Sequence, residues 1–316
     1  MPELPEVEGL VRFLRAKLTN EAEPEEGAVL ADIELASFTV LKTVSPPATA
    51  LAGLTVTGVH RHGKFIDLDV DGLHLIFHLA KAGWLRWSDR LAATKLKPGK
   101  GPIALRARFE LGSADDDDSP TASSDPAVSS GAMPSTGFDL TEAGTRKGLA
   151  AYVVNDPQDV PGIASLGPDP LGPNFDKATL AGLISGRRAQ IKGLLRSQSV
   201  IAGIGNAYSD EILHAAKLSP FASANSFDDE AMDRLYTALH EVLATAVAAA
   251  DGKPAAELKD RKRAGMRVHG RTGEACPVCG DVVREVTFAD SSLQYCATCQ
   301  TGGKPLADRR TSKFLK

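Results

Sequence analysis

Met1-Pro2-Glu3-Leu4-Pro5-Glu6-Val7-Glu8-Gly9-Leu10 is the stretch from which the rest of the chain is read. Leu4, Val7, Leu10, Val11, Leu14 and Leu18 recur at spacings of three and four, which predicts a helix that starts almost at once and buries one apolar stripe. Pro2 and Pro5 suit its first turn, and the early acids Glu3 and Glu6 suit the positive end of its dipole. Cleavage of Met1 before the small residue Pro2 leaves a secondary amine at the mature N-terminus. An α-amino group titrates near neutrality, so much of it is an unprotonated nucleophile at cellular pH, whereas a free lysine is not. Pro and Glu are also ordinary helix starters, so a nucleophile at Pro2 requires matching chemistry elsewhere in the chain.

At 316 residues and 43% hydrophobic, the chain can form two or three domains with a sizeable core. It has no apolar run of the roughly 18 or more residues that a membrane span needs, and its start is acidic, unlike a signal peptide. A bacterial-type cytosolic location is expected, where four cysteines serve as metal ligands more often than as disulfides. The net charge of −4 is unevenly spread. Residues 113–139 hold six acids and no Lys or Arg, and without them the −4 becomes +2. Residues 252–316 carry 13 basic against seven acidic residues, and residues 177–217 carry six against two. Two basic segments of this kind suit phosphate binding.

Residues 28–87 alternate apolar and polar positions between glycines, which predicts short strands packed as a β-sandwich behind the first helix. Residues 113–137 are rich in Ser, Ala, Asp and Pro and read as a disordered insertion. Gly162–Phe175 reads as a linker into a helical domain. There Arg187–Arg196 is expected as a basic helix, and Val200-Ile201-Ala202-Gly203-Ile204-Gly205-Asn206 as a Gly-rich turn into a second helix over 207–216. Asn206 suits a helix cap, and the amides at that helix start suit a phosphate. A long helix is expected over 228–249. Cys276-Pro277-Val278-Cys279 and Cys296-Ala297-Thr298-Cys299 form a CxxC-x16-CxxC pattern, whose four thiolates favour one tetrahedral, structural zinc in a ribbon.

Taken together, Pro2 to Glu8, Arg61-His62-Gly63-Lys64-Phe65, Leu166-Gly167-Pro168-Asp169-Pro170-Leu171, Gly203 to Leu213 and the paired cysteines resemble, in this order, the Fpg/Nei family of formamidopyrimidine-DNA glycosylases and endonuclease VIII-like enzymes. The resemblance runs from Pro2 to Gln300. It implies an α+β multidomain fold: an N-terminal helix plus β-sandwich (1–165), a helical helix–two-turn–helix domain (166–263), a zinc ribbon (264–303) and a basic tail (304–316). It further implies Pro2 as nucleophile, Glu3 as the acid that helps open the sugar, and Lys64 as a phosphate holder that assists proton transfer. Asn206, Lys192, Arg146 and Lys81 are the expected DNA contacts, and Cys276, Cys279, Cys296 and Cys299 the zinc ligands.

The sequence departs from the family pattern at three places. Lys81 stands where formamidopyrimidine-type members have a gap-filling Met. Thr145-Arg146-Lys147-Gly148 lacks the Phe that wedges beside the orphan base, and Ser291 replaces the Arg of the finger tip. The expected function is a monomeric bifunctional DNA glycosylase and AP lyase of base excision repair. It would act on double-stranded DNA containing oxidised or ring-opened bases or abasic sites, through a Pro2 Schiff base and β-elimination. The alternatives are a branch specialised for bulky, alkylated or crosslinked bases, a non-catalytic lesion binder, and a zinc-ribbon protein of transcription or translation.

Overall fold

The structure, a computed structural model, describes residues 1–20, 22–99, 101–111, 135–144, 147–289 and 291–308. The first helix, α1 (Leu4–Leu18), forms as the periodicity predicts, and buries Leu4, Val7, Leu10, Val11, Leu14 and Leu18. Among the described residues eight strands follow: β1 (Val29–Leu35), β2 (Leu54–His62), β3 (Phe65–Val70), β4 (Leu73–His78), β5 (Gly83–Ser88), β6 (Ile103–Glu110), β7 (Thr136–Glu142) and β8 (Ala150–Val154). They pair in the order β5-β7-β6-β1-β2-β3-β4-β8, with antiparallel neighbours throughout.

The β1–β2 join rests on two pairs, Val29 with Thr55 and Leu30 with Leu54. There the sheet turns over into two four-stranded layers. Phe77 of β4 and Phe138 of β7 lie far apart in the strand order, yet their ring centroids are 5.6 Å apart across the core. The apolar stripe of α1 joins that core, which also contains Val56, Leu75 and Phe109.

Composition placed residues 113–137 in one insertion. Residues 113–134 of it lie outside the described residues. Thr136 and Gly137 instead open β7, paired with Phe109 and Arg108.

The helical domain contains α2 (Pro161–Ala164), α3 (Lys177–Ile184), α4 (Ile191–Arg196), α5 (Asn206–Ala215), α6 (Asp229–Ala250) and α7 (Leu258–Gly265). Helix α4 starts later than the predicted Arg187. The Ile191 N–H donates to Ala222 O and the Ala224 N–H to Ala189 O, and this pairing holds Gln190 extended opposite Ser223. The expected domain boundary at 263 cuts α7. Ala250, Ala255 and Leu258 pack into the core of the first domain, so the chain returns to α1 before it enters the ribbon. In the ribbon β9 (Val283–Thr287) pairs with β10 (Ser292–Cys296), and α8 (Ala297–Thr301) follows. Among the described residues, no helix is long and apolar enough to cross a membrane.

Leu10 is fully buried between α1 and the sandwich. Leu10→Ala is expected to cost about 2–5 kcal/mol of stability, since it removes apolar contact and leaves a cavity. Chemical denaturation of the purified variant beside the parent chain measures this directly.

Candidate active site

Glu3 stands immediately before α1, 2% exposed, with its carboxylate against the start of α5. Its oxygens accept from the N–H groups of Gly205 (2.7 Å), Ala207 (3.0 Å) and Tyr208 (3.2 Å). These are orphan donors at the start of α5, where the helix dipole favours an anion. The phosphate seat expected at that helix start is therefore filled by the protein's own carboxylate. Gly205 must lack a side chain, because a Cβ there would lie 2.4 Å from the Glu3 carboxyl carbon. Gly203, at φ +85°, accepts the Leu4 N–H on its carbonyl (3.0 Å). Burial opposes ionisation of Glu3, but Lys262, Lys64 and the backbone donors outweigh it and hold the carboxyl below its ordinary value.

Lys64 occupies the two-residue turn Gly63-Lys64 that joins β2 to β3, with His62 paired to Phe65 on either side. It is 7% exposed, and its ammonium donates to Ile204 O in the Gly-rich turn (2.8 Å). Burial lowers the ammonium to about 8 against the pull of Glu3. Pro2, Glu3 and Lys64 thus meet in one place, although the chain separates them by some sixty positions. They border a cavity of about 940 Å³ formed between the sandwich, the Gly-rich turn, α7 and the ribbon. With Met1 attached, the Pro2 nitrogen is an amide and lacks a lone pair for attack.

The expected DNA contacts fall into different surroundings. Lys81 is exposed on the cavity rim, after a turn in which Ala80 has φ +51° and its N–H donates to His78 Nδ1. Asn206 also lines the cavity, but it is the first residue of α5 and does not cap it. Its Nδ2 donates to Ser292 O in the ribbon (2.8 Å), and its Oδ1 is buried without a hydrogen-bond partner. Lys192 is 5% exposed. Its ammonium donates to Asp210 Oδ1 (2.6 Å), Ser209 Oγ (2.7 Å) and Asn206 O (3.1 Å), so all three N–H donors are taken inside the helical domain. A phosphate contact there has no donor left, and Lys192 reads as internal bracing. Arg146 lies outside the described residues. Ser291 does reach the cavity, at the tip of the β9–β10 hairpin.

Sequence reasoning missed Lys262 and Tyr208. The Lys262 ammonium meets Glu6 Oε2 at 2.7 Å and Glu3 Oε1 at 3.8 Å, and the Tyr208 hydroxyl donates to Glu6 Oε1 at 2.6 Å. Nothing in the local pattern of a Lys- and Arg-rich helix singles out one lysine as the buried one.

The four cysteine Sγ atoms lie within 4.8 Å of one another, with 3.9 Å between Cys276 and Cys299 and 3.3 Å between Cys279 and Cys296. A tetrahedral zinc with bonds of about 2.3 Å requires sulfur–sulfur edges of about 3.8 Å, so the donor set fits one structural zinc. Helix α5 grips the root of the ribbon. Buried Glu211 accepts from the N–H groups of Arg267, Val268 and His269, and Asp210 Oδ2 accepts from Gln294 N and meets His269 Nδ1. His214 Nε2 lies 3.3 Å from Cys276 Sγ, and burial lowers its pKa to about 4, so the ring is neutral.

Three descriptions drawn from known proteins match successive parts of the chain: the formamidopyrimidine-DNA glycosylase N-terminal domain over residues 1–124, the H2TH domain of the same enzymes over 166–256, and the zinc finger found in FPG and IleRS over 273–302. Formamidopyrimidine-DNA glycosylase of Moorella thermoacetica is 32% identical over 294 residues, which is 90% of this chain and 94% of that one. An uncharacterized formamidopyrimidine-DNA glycosylase-like protein of Mycobacterium tuberculosis is 58% identical over 152 residues, 48% of this chain and 95% of that protein. Among solved structures, Lactococcus lactis Fpg bound to DNA containing an AP site aligns with a TM-score of 0.73 at 23% identity, covering 95% of this chain and 99% of that one. MutM of Thermus thermophilus aligns at 0.72 and 27%, covering 96% and 100%. Fold and family together define a DNA glycosylase of base excision repair with AP-lyase activity. The chain belongs to the formamidopyrimidine-DNA glycosylase family.

The purified protein is expected to carry one zinc per chain by elemental analysis. Cys279→Ser is expected to lose it and to lower the melting temperature of the whole chain, because α5 ties the ribbon to the site.

Proposed function

We propose that the mature chain, freed of Met1, excises oxidised or ring-opened bases from double-stranded DNA and then cleaves the strand through a Schiff base on Pro2. The observation that carries this reading is the convergence of Pro2, Glu3 and Lys64 on one cavity, with the Glu3 carboxyl held below its ordinary value next to Pro2 in the chain. A base stacked in a duplex hides its C1′, so the nucleotide is first everted into the cavity. The Pro2 nitrogen bonds to C1′ and the base leaves with the glycosidic electron pair. Glu3 enters as carboxylate, takes the proton the new ammonium loses, and delivers it to the sugar ring oxygen as that C–O bond breaks. The resulting iminium acidifies the C2′ proton, whose loss expels the 3′-phosphate in β-elimination.

Lys64 contacts a phosphate beside the lesion. Asn206 contacts one by exchanging its Ser292 partner, and Lys81 enters the gap left by the everted base. Ser291 brings no cation to the finger tip, so elimination stops mainly at the β step. The altered gap-filling residues favour an endonuclease VIII-like range over a strict 8-oxoguanine specialist. The volume of the cavity favours, as a second reading, bulky or alkylated bases. The relatives are bacterial, and we place the activity in the cytoplasm at the nucleoid, with the chain acting as a monomer.

Borohydride trapping on an abasic duplex tests the reading. Processed protein is expected to form a covalent adduct, and a chain with an extended, blocked N-terminus is not. Thymine glycol, formamidopyrimidine and 8-oxoguanine duplexes run alongside sort the substrate; binding without any adduct would sink the catalytic reading.

The Lys64 ammonium, lowered to about 8, gives a pH test. A bound phosphate favours the charged form, so binding takes up a proton once the free lysine has lost its own. Affinity for an abasic duplex is expected to fall above about pH 8 by up to about tenfold per unit. In Lys64→Ala this fall is expected to vanish, as read by fluorescence anisotropy across pH 7–10.

A further inference from the structure

Helix α7 contributes a cation to a site otherwise built by the first helix, a sandwich turn and the Gly-rich turn. Lys262 is 16% exposed in its side chain and reaches back across the cavity. Besides its pairs with Glu6 (2.7 Å) and Glu3 (3.8 Å), its ammonium donates to Met1 O (3.2 Å), the carbonyl attached to the Pro2 nitrogen. The Tyr208 ring lies beneath it, with 4.8 Å from Nζ to the centroid. Four contacts from α1, α5 and the chain start thus fix one lysine within a few ångströms of the proposed nucleophile.

The charges around that nucleophile create a conflict. From α1 it faces Glu3 and Glu6, both buried and both favouring the protonated amine. A protonated amine has no lone pair and cannot attack C1′. From the β2–β3 turn it faces Lys64, whose own ammonium is partly neutral near pH 8. From α5 it faces the Tyr208 hydroxyl, which is held by Glu6 and pushed by burial further above its ordinary range. From α7 it faces Lys262, with Lys259 farther along and lying 4.5 Å over the Trp84 ring.

We infer that Lys262 is a positioning residue for the Pro2 amine, its charge offsetting Glu3 and Glu6 so that the amine stays unprotonated and nucleophilic at neutral pH. This rests on Pro2 being the nucleophile. The amine of Met1, at the same mouth of the cavity, shows the same influence: it is held below its ordinary value by burial first and by Lys262 next. A lysine fulfils this role without touching substrate, because a like charge nearby disfavours protonation through space.

The test is the pH dependence of borohydride trapping by the processed protein on an abasic duplex, for Lys262→Gln, Lys262→Arg and Glu6→Gln. In Lys262→Gln the acidic limb is expected to move towards higher pH by about one unit, so that trapping falls about tenfold at pH 6 and recovers by pH 9. Lys262→Arg keeps the charge and is expected to restore the parent profile. Glu6→Gln removes an anion and is expected to move the limb the other way, which keeps the inference testable if Lys262→Gln fails to fold. Zinc content and duplex affinity certify the fold of each variant. A rate lost equally at every pH, or an unmoved limb, overturns the inference and leaves Lys262 as structural bracing. A parent protein that traps at no pH overturns the Pro2 reading itself, and the inference with it.

Discussion

The carboxylate of Glu3 on the first amides of α5 is the contact on which the rest of the structure depends. It joins residues more than two hundred positions apart and binds the helix that precedes the sandwich to the Gly-rich turn of the second domain. Loss of the carboxylate would leave three buried N–H groups unpaired, each at about 1–3 kcal/mol, and the positive end of α5 without a counter-charge. Around it the Leu4 N–H pairs with Gly203 O and the Lys64 ammonium with Ile204 O. Sandwich and helical domain therefore meet through polar groups that are satisfied only in one relative placement, and that placement brings Pro2 to the cavity.

Helix α5 extends this logic to the ribbon. Its first turn receives Glu3. On the next turn Asp210 holds Lys192 on one oxygen and the ribbon on the other, Glu211 collects the backbone N–H groups of residues 267–269, and His214 reaches Cys276. One short helix thus carries the amine-bearing chain start at one end and the zinc site at the other. The four thiolates stand at the far end of α5 from Glu3, yet the zinc they fit would order the hairpin whose tip borders the cavity. The basic character of residues 177–217 is partly consumed inside: Lys192 is an internal brace, which is why local charge counts overstate the surface available to DNA.

The site itself is an arrangement of opposed charges in a poorly solvated place. Two carboxylates stand near the chain start, Glu3 on the first amides of α5 and Glu6 on the Tyr208 hydroxyl. Lys262 from α7 and Lys64 from the β2–β3 turn bring opposite charge beside them. An isolated helix could not do this, because its i to i+4 neighbours are too few and too exposed to alter an amine by a useful amount.

Much of this chain was legible in one dimension. The apolar stripe of α1, the alternation in the strands, the Gly63-Lys64 turn and the four cysteines are local patterns, and local sterics and metal chemistry act over the same few residues that the pattern covers. Pro2, Glu3 and Lys64 could be singled out because their order and flanking residues resemble a known family. What the tertiary structure decided were the pairings between distant segments. Asn206 bridges to the ribbon instead of capping its helix, the start of α5 is closed by Glu3 instead of a phosphate, and Thr136 and Gly137 pair as strand because β6 lies beside them. Lys192 and Lys262 both lie in helices with basic residues. One meets Asp210 and the other Glu6 and Glu3, because which carboxylate a lysine meets is set by how helices pack, and no neighbour in sequence records it.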